Sequence, residues 1–303
     1  MIAASTTLVV DRASGALVEE RVFGATALGR IYGPGPAGAL LRWLVPRPAL
    51  NALYGRWQRR PSSRARIARF VSELAIDASE AERPLEAYPS LDAFFARRLR
   101  AGARPIDHTA DTLCSPADGR ALAFADVHGT VPVKGHAVDV EELVGAPLPF
   151  ARAAVLVVRL APADYHRFHA PCAGTLSAPR TLGGLLHSVH PIALAAGAPS
   201  FANRRQVSSL TETVVGTVVL VEVGALVVGE IERTRAPGPV AKGDELGTFH
   251  FGGSTVVLVA DAARVALDDD LLEHSARGQE TLVRMGTRIG AHVAPPSGEV
   301  SRR

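Results

Sequence analysis

The spacing of apolar residues changes character partway along this chain. Up to about residue 105 it is mostly helical, and beyond Cys114 it is that of strands. The opening segment is an exception. Thr7-Leu8-Val9-Val10 and Ala16-Leu17-Val18 flank Asp11-Arg12-Ala13-Ser14-Gly15 and predict a hairpin over 6–23. Gly33-Pro34-Gly35-Pro36-Ala37-Gly38 then has the G-x-G-x-x-G spacing of a dinucleotide loop. Pro34 and Pro36 lack the N–H groups a phosphate needs, and no βαβ pattern surrounds them, so the segment reads as a breaker before a helix. Residues 39–73 predict amphipathic helices interrupted at Pro46-Arg47-Pro48, with Leu50, Leu53, Tyr54 and Trp57 at i, i+3, i+4, i+7. A further helix is predicted over Leu91–Leu99, with Phe94, Phe95 and Leu99 on one side.

From Cys114 onward, short β-rich runs alternate with Gly and Pro turns: Arg120–Val127, Ala153–Leu160, Glu212–Val228 and Thr255–Ala260. The expected fold class is α+β. An N-terminal hairpin and amphipathic helical region occupies 1–105, and a mostly antiparallel β domain, the candidate catalytic part, occupies 106–303. Residues 294–303 read as a frayed tail.

Composition changes this picture in one place. The chain has 303 residues, 47% hydrophobic and 21% charged, which supports an ordinary packed core. The net charge is only +3, but from Arg42 through Arg69 there are eight arginines and no acid, together with both tryptophans, Trp43 and Trp57. Arginine interleaved with aromatic and aliphatic residues suits the headgroup layer of an anionic membrane. A helical subdomain with a solvated basic face is the alternative. No segment has the order of a signal peptide, and the apolar stretch from Thr217 to Ile231 is interrupted by Glu222 and Glu230, so no membrane span is expected. Cys114 and Cys172 stand far apart, in neither a metal nor a redox spacing.

The candidate chemistry lies in three places. Gly253-Ser254 stands immediately before the run Val256-Val257-Leu258-Val259-Ala260. A serine hydroxyl held against an unshielded glycine carbonyl can convert that amide to an ester, and elimination and hydrolysis then turn the serine into a pyruvoyl ketone. A plain Gly-Gly-Ser turn is the alternative. Such a serine needs a base. Asp118, in Ser115-Pro116-Ala117-Asp118-Gly119, is one candidate, although Asp-Gly is also turn chemistry. The cluster Asp164-Tyr165-His166-Arg167-Phe168-His169 is the other. Arg167 between the histidines and the lack of H-E-x-x-H spacing favour acid–base work over a metal. His187 and His190 form a second histidine pair without an evident chemical role, and Gly224 to Ile231 reads as strand and turn.

Taken in order, these segments resemble the bacterial phosphatidylserine decarboxylase proenzymes, which are pyruvoyl-dependent. The resemblance rests on Val10-Asp11-Arg12-Ala13-Ser14-Gly15, the Trp43-to-Trp57 helices, Phe94-Phe95-Ala96-Arg97-Arg98-Leu99 and Gly102-Ala103-Arg104-Pro105-Ile106. It continues through Ser115-Pro116-Ala117-Asp118-Gly119, Val133-Lys134-Gly135, the Asp164–His169 cluster, Gly224-Ala225 and Lys242-Gly243-Asp244-Glu245-Leu246-Gly247. It ends with Phe251-Gly252-Gly253-Ser254-Thr255 and Val283-Arg284-Met285-Gly286. It implies self-cleavage between Gly253 and Ser254 by an Asp118, His169, Ser254 arrangement, giving associated β (1–253) and α (254–303) subunits. It also implies a pyruvoyl group made from Ser254 as the sole cofactor, without metal or PLP, and His166 acting in decarboxylation. Phosphatidylserine would be converted to phosphatidylethanolamine and CO2 by a peripheral enzyme on the cytoplasmic face of an anionic membrane. A homo-oligomer is compatible with this reading and a nucleic-acid partner is not expected.

Two departures stand out. Where the family often has Asn-Glu-Arg-Val, this chain has Asn203-Arg204-Arg205-Gln206-Val207, and the usual Val-Asn-Pro is Val189-His190-Pro191. The alternatives to the lipid enzyme are a pyruvoyl decarboxylase of a soluble amino acid and a non-enzymatic β-rich binding module.

Overall fold

A computed structural model describes residues 8–20, 25–133, 136–226, 230–252 and 254–293. Gly253, Lys134-Gly135, part of the Gly224–Ile231 segment, the outer residues of the 6–23 hairpin and the expected tail over 294–303 therefore lie outside the described residues.

The molecule is built on an eleven-stranded sheet among the described residues. Its order is Gly238–Val240, Gly174–Leu176, Arg205–Thr213, Gly216–Gly224, Ser254–Asp261, Ala153–Leu160, Gly119–Val127, Glu280–Val283, Leu8–Asp11 and Leu17–Glu19; Arg180–Leu182 pairs with Arg205–Thr213. All pairings are antiparallel except that of Leu8–Asp11 with Glu280–Val283. The expected hairpin is thus present and extends this sheet. Ser254–Asp261 runs through the middle, antiparallel to both neighbours. Its unbroken apolar run follows from burial on two faces. Val256 and Leu258 enter one core with Leu156, Val158 and Leu220, while Val257 and Val259 enter a second with Val155, Val157 and Val221. Side chains alternate between faces along a strand, so a strand covered on both sides has no polar position to keep.

The helices are α1 (Ala25–Ile31), α2 (Gly35–Leu44), α3 (Pro48–Gln58), α4 (Ile67–Leu74), α5 (Leu91–Phe95), α6 (Val140–Val144), α7 (Pro191–Ala195) and α8 (Asp269–Ala276). The break at Pro46-Arg47-Pro48 falls between α2 and α3, and each has a proline in its first turn, where the missing N–H costs nothing. The 3₁₀ turn Pro61–Arg66 separates α3 from α4. Ile67, Phe70 and Leu74 of α4 pack with Tyr88, Leu91, Phe94, Phe95 and Phe251. That cluster sets the helical layer directly on the residues preceding Ser254.

Two expectations are corrected. The helix expected over Leu91–Leu99 stops at Phe95. Arg167 draws the Ala96 and Arg97 carbonyls into hydrogen bonds with its guanidinium, and Leu99 bridges to Ala81 instead. The strand expected over Glu212–Val228 is two strands, Arg205–Thr213 and Gly216–Gly224. The Thr213 hydroxyl donates to the Gly216 carbonyl and accepts from Val215 N–H, closing a turn that the run of β-branched residues conceals. The stripe of Leu50, Leu53, Tyr54 and Trp57 also divides. Tyr54 is half-buried against the aromatic cluster, while Leu50, Leu53 and Trp57 are 40%, 60% and 44% exposed.

Candidate active site

Ser254 opens the central strand, opposite Gly224 on one side and Leu160 on the other. It is fully buried, and its Oγ has no hydrogen-bond partner. Leaving a buried hydroxyl unpaired costs about 1–3 kcal/mol, so such an atom marks stored reactivity or a missing ligand. The approach to it is tightly held. Asp92 Oδ1 accepts the Phe251 N–H at 2.9 Å, and Asp92 Oδ2 lies 2.9 Å from Nδ1 of His250. Gly252 has φ of 140°, a backbone conformation that side chains disfavour.

His166 precedes the short strand Arg167–His169, which pairs with Glu245–Phe249. It is fully buried, with its ring 3.8 Å from that of Phe95 between centroids. Its Nδ1 lies 2.9 Å from the Asp164 carbonyl, which can only accept. The proton therefore sits on Nδ1, and Nε2 presents a lone pair that has no partner. Burial pushes the His166 pKa down to about 3; the Asp164 carbonyl and the Gly252 backbone act the other way. The imidazole is thus a neutral acceptor close to the Gly252 backbone.

His169 is arranged the same way. Nδ1 faces the Gly243 carbonyl at 2.9 Å, and Nε2 is 3.2 Å from the Tyr165 hydroxyl, which donates to it. Burial lowers its pKa, while the Gly243 carbonyl, Glu245 and Asp118 favour its charged form. Asp118, also buried, is gripped by Arg104, whose Nε lies 2.9 Å from each carboxylate oxygen, and accepts the Met285 N–H at 2.8 Å. Asp118, His169 and Ser254 are all withdrawn from solvent, yet none of the three hydrogen-bonds another in the described structure.

The second histidine pair is placed differently. His187 is buried, and its backbone N–H and carbonyl are clamped by the Asn203 side chain, which also donates to the Gly224 carbonyl at 2.8 Å. That clamp fixes the residue facing Ser254. His190 caps α7, its Nδ1 accepting the Ile192 N–H. Sequence reasoning assigned no chemistry to Asp92 or Arg104. Asp92 falls within the helix expected over Leu91–Leu99, and its place after Ser90, which caps α5, is a local signal of first-turn N–H groups rather than of contact with residue 251.

Beside this centre lies a cleft of about 570 Å³, bounded by α3 and by the segments around Leu186, Gln206, Ile231 and Phe251. Among the described residues no cluster of three or more His, Cys, Asp or Glu is placed to hold a metal ion. No described helix is long and apolar enough to cross a membrane.

Comparison with known proteins gives a consistent answer. The phosphatidylserine decarboxylase family profile matches residues 91–291. A phosphatidylserine decarboxylase proenzyme of Chlamydia trachomatis serovar L2b is 41% identical over 256 residues, covering 80% of this chain and 85% of its own. The Clostridium perfringens proenzyme is 38% identical over 259 residues, with 83% and 88% covered. That of Fusobacterium nucleatum is 37% identical over 263 residues, with 84% and 88% covered. A buried, unpaired serine at the head of the central strand occurs here in a sequence alike along most of its length to these proenzymes: the chain belongs to the phosphatidylserine decarboxylase family.

Proposed function

We propose that this chain is a self-processing decarboxylase that converts phosphatidylserine to phosphatidylethanolamine and CO2. The observation that carries the reading is the unpartnered, fully buried Oγ of Ser254 following Gly253, in a chain similar to proenzymes. The Ser254 hydroxyl attacks the Gly253 carbonyl and displaces its own amide nitrogen, giving an ester. Loss of the α-proton then breaks the ester C–O bond, leaving a Gly253 carboxylate and a dehydroalanine at 254, and water converts the latter to a pyruvoyl group with release of ammonia. His169, favoured in its charged form by Asp118, is the base for the first proton transfer. The products are a β subunit, 1–253, and an α subunit, 254–303. Strand 254–261 lies between two strands of the β portion, which supports the two remaining associated.

The residues present fit a pyruvoyl group at 254, because the position is enclosed and the unpaired Nε2 of His166 offers a polar partner. Such a group supplies an electron sink for the pair left when CO2 departs, the job PLP does elsewhere. Held neutral with its Nε2 free, His166 takes a proton from the substrate's ammonium group and later returns it to the carbon that loses CO2. One observation favours a second reading of this residue. The His166 Nε2 lone pair and the Ser254 hydroxyl are both unpartnered, whereas the His169 lone pair is taken by Tyr165, and this supports His166 as the base that deprotonates Ser254.

The membrane is met by α2 and α3. Six of the eleven exposed large apolar side chains among the described residues are theirs: Leu40, Trp43, Leu44, Leu50, Leu53 and Trp57. Arg47 and Arg66 stack over Trp43 and Trp57 at 4.0 and 3.9 Å from the ring centres. Apolar groups flanked by guanidinium suit a peripheral enzyme on the anionic cytoplasmic leaflet. The test is intact-mass analysis beside a lipid assay. The protein should give two fragments divided at 253–254, the second bearing a mass consistent with pyruvoyl, and should form phosphatidylethanolamine. Cleavage that persists in Ser254→Ala refutes the assignment.

A further inference from the structure

The cleft beside the candidate centre has a charge pattern that the reaction chemistry does not require. Three arginines line it, and they are not equivalent. Arg59 is already committed: its guanidinium pairs with Asp92, at 3.2 Å, and with Glu230. His250, also on the wall, sits between Asp92 and Glu232, at 2.9 Å from each. The acids of this region are therefore matched. Arg56 on α3 and Arg204 on the facing segment have no carboxylate partner among the described residues, and both open onto the same space. His250 and Phe251, a few residues short of Ser254, are also part of the lining.

The outer wall has a second property. On α3, Leu50, Leu53 and Trp57 are exposed, while Asn51, Ala52, Gly55 and Arg56 line the cleft. One short helix thus shows apolar side chains to the outside and a cation to a cavity that His250 and Phe251 also line.

We propose that Arg56 and Arg204 form the binding site for the phosphodiester anion of the lipid headgroup. This rests on the decarboxylase reading above and deepens it. Two guanidinium groups with no internal counter-ion are matched by a phosphodiester, whose oxygens accept their N–H donors. With acyl chains kept on the outer side of α3, the headgroup enters between α3 and the 204–206 segment, and the serine portion is carried toward residue 254. Placing the phosphate at a distance from the reacting carbon keeps cations away from the departing carboxylate, which ion pairing would stabilise in the ground state.

The test uses the full chain and the Arg56→Gln/Arg204→Gln variant, with calorimetric titration of glycerophosphoserine, free serine and inorganic phosphate. We expect glycerophosphoserine to bind the variant at least tenfold more weakly, with the cut at 253–254 equally complete, and free serine to bind both proteins weakly. In the lipid assay KM should rise about tenfold with kcat little changed. Arg204→Glu alone should weaken binding further than Arg204→Gln. Equal affinity of parent and variant for glycerophosphoserine overturns the proposal. Inorganic phosphate binding as tightly as glycerophosphoserine also overturns it, by making this a site for free phosphate. Arginine-dependent binding by a chain that is never cut and decarboxylates nothing would uphold the anion site while sinking the decarboxylase reading, so the two failures are distinguishable.

Discussion

The Asp92 carboxylate holds the backbone N–H of Phe251, with one oxygen 2.9 Å from the nitrogen. The contact joins α5 to a segment far along the chain, three residues ahead of Ser254. The other oxygen faces His250 and Arg59, so the group is buried yet fully partnered. Burial alone would raise its pKa; His250, the Phe251 N–H and Arg59 together hold it below the ordinary carboxylate value. Asp92→Ala is therefore expected to loosen the approach to the cut. We expect self-cleavage to slow by about tenfold or more, and the Ser254→Ala precursor carrying it to lose roughly 2–4 kcal/mol, the range for leaving buried partners unpaired. Time courses on denaturing gels and urea unfolding would measure both. Cleavage at the parental rate would show that this anchor does not position the reacting segment.

The two histidines should separate by assay. Under the principal reading, His169→Ala remains a single chain, whereas His166→Ala is cut normally and forms phosphatidylethanolamine at least a hundredfold more slowly, the lower range for a lost general acid. An uncut His166→Ala chain would instead establish the second reading, in which the free Nε2 lone pair serves the cleavage itself.

Asp118 and Arg104 make a buried ion pair, with Nη2 2.6 Å from Oδ2. Removing one partner strands the other, so Asp118→Ala in the Ser254→Ala background should cost about 3–5 kcal/mol. Arg104→Gln should likewise destabilise the chain, while leaving the Met285 N–H bond to Asp118 intact. A loss under 1 kcal/mol in both variants would place the Asp118 environment outside the structural core.

Acid should weaken the fold. His190 is neutral when folded, burial having pushed its pKa down to about 4, whereas in an unfolded chain it titrates near pH 6.5. The unfolded state therefore binds the extra proton between these values. The associated stability is complete above about pH 6.5 and is lost as pH falls toward 4. His166 acts in the same direction, down to about pH 3. His250, whose pKa is raised by Asp92 and Glu232 against the effect of burial, opposes them over a window above pH 6.5. His190→Asn keeps an N-cap acceptor for Ile192 and removes the titrating ring. It should match the parent at pH 7.5 and exceed it by about 1 kcal/mol at pH 5, after allowance for partial exposure. Parallel curves of melting temperature against pH would refute the attribution.

Membrane attachment has its own variant. Leu53→Ser with Trp57→Ser removes exposed apolar area without touching the cleft or the sheet. Burial of such surface is worth about 25 cal/mol per Å², so co-sedimentation with anionic vesicles should fall at least tenfold while cleavage is unaltered. Undiminished binding would move the membrane contact away from α3.

Much was legible in the sequence because it depends on neighbours in the chain. The hairpin around Asp11–Gly15, the break at Pro46–Pro48 and the strands at Ala153–Leu160 and Ser254–Asp261 follow from turn residues, proline geometry and apolar runs. The ordered motifs and the Gly253-Ser254 junction likewise pointed to the family. Local pattern does not show which distant groups compete for a side chain. The helix from Leu91 ends early because Arg167 takes its carbonyls, and the Leu50–Trp57 stripe divides because only Tyr54 meets the aromatic cluster. Tertiary packing alone decided that Asp118 grips Arg104, that Tyr165 occupies the His169 lone pair, and that His166 and Ser254 keep theirs unpaired. Those outcomes depend on burial and on contacts between residues tens to hundreds of positions apart, which no repeat or spacing in the chain encodes.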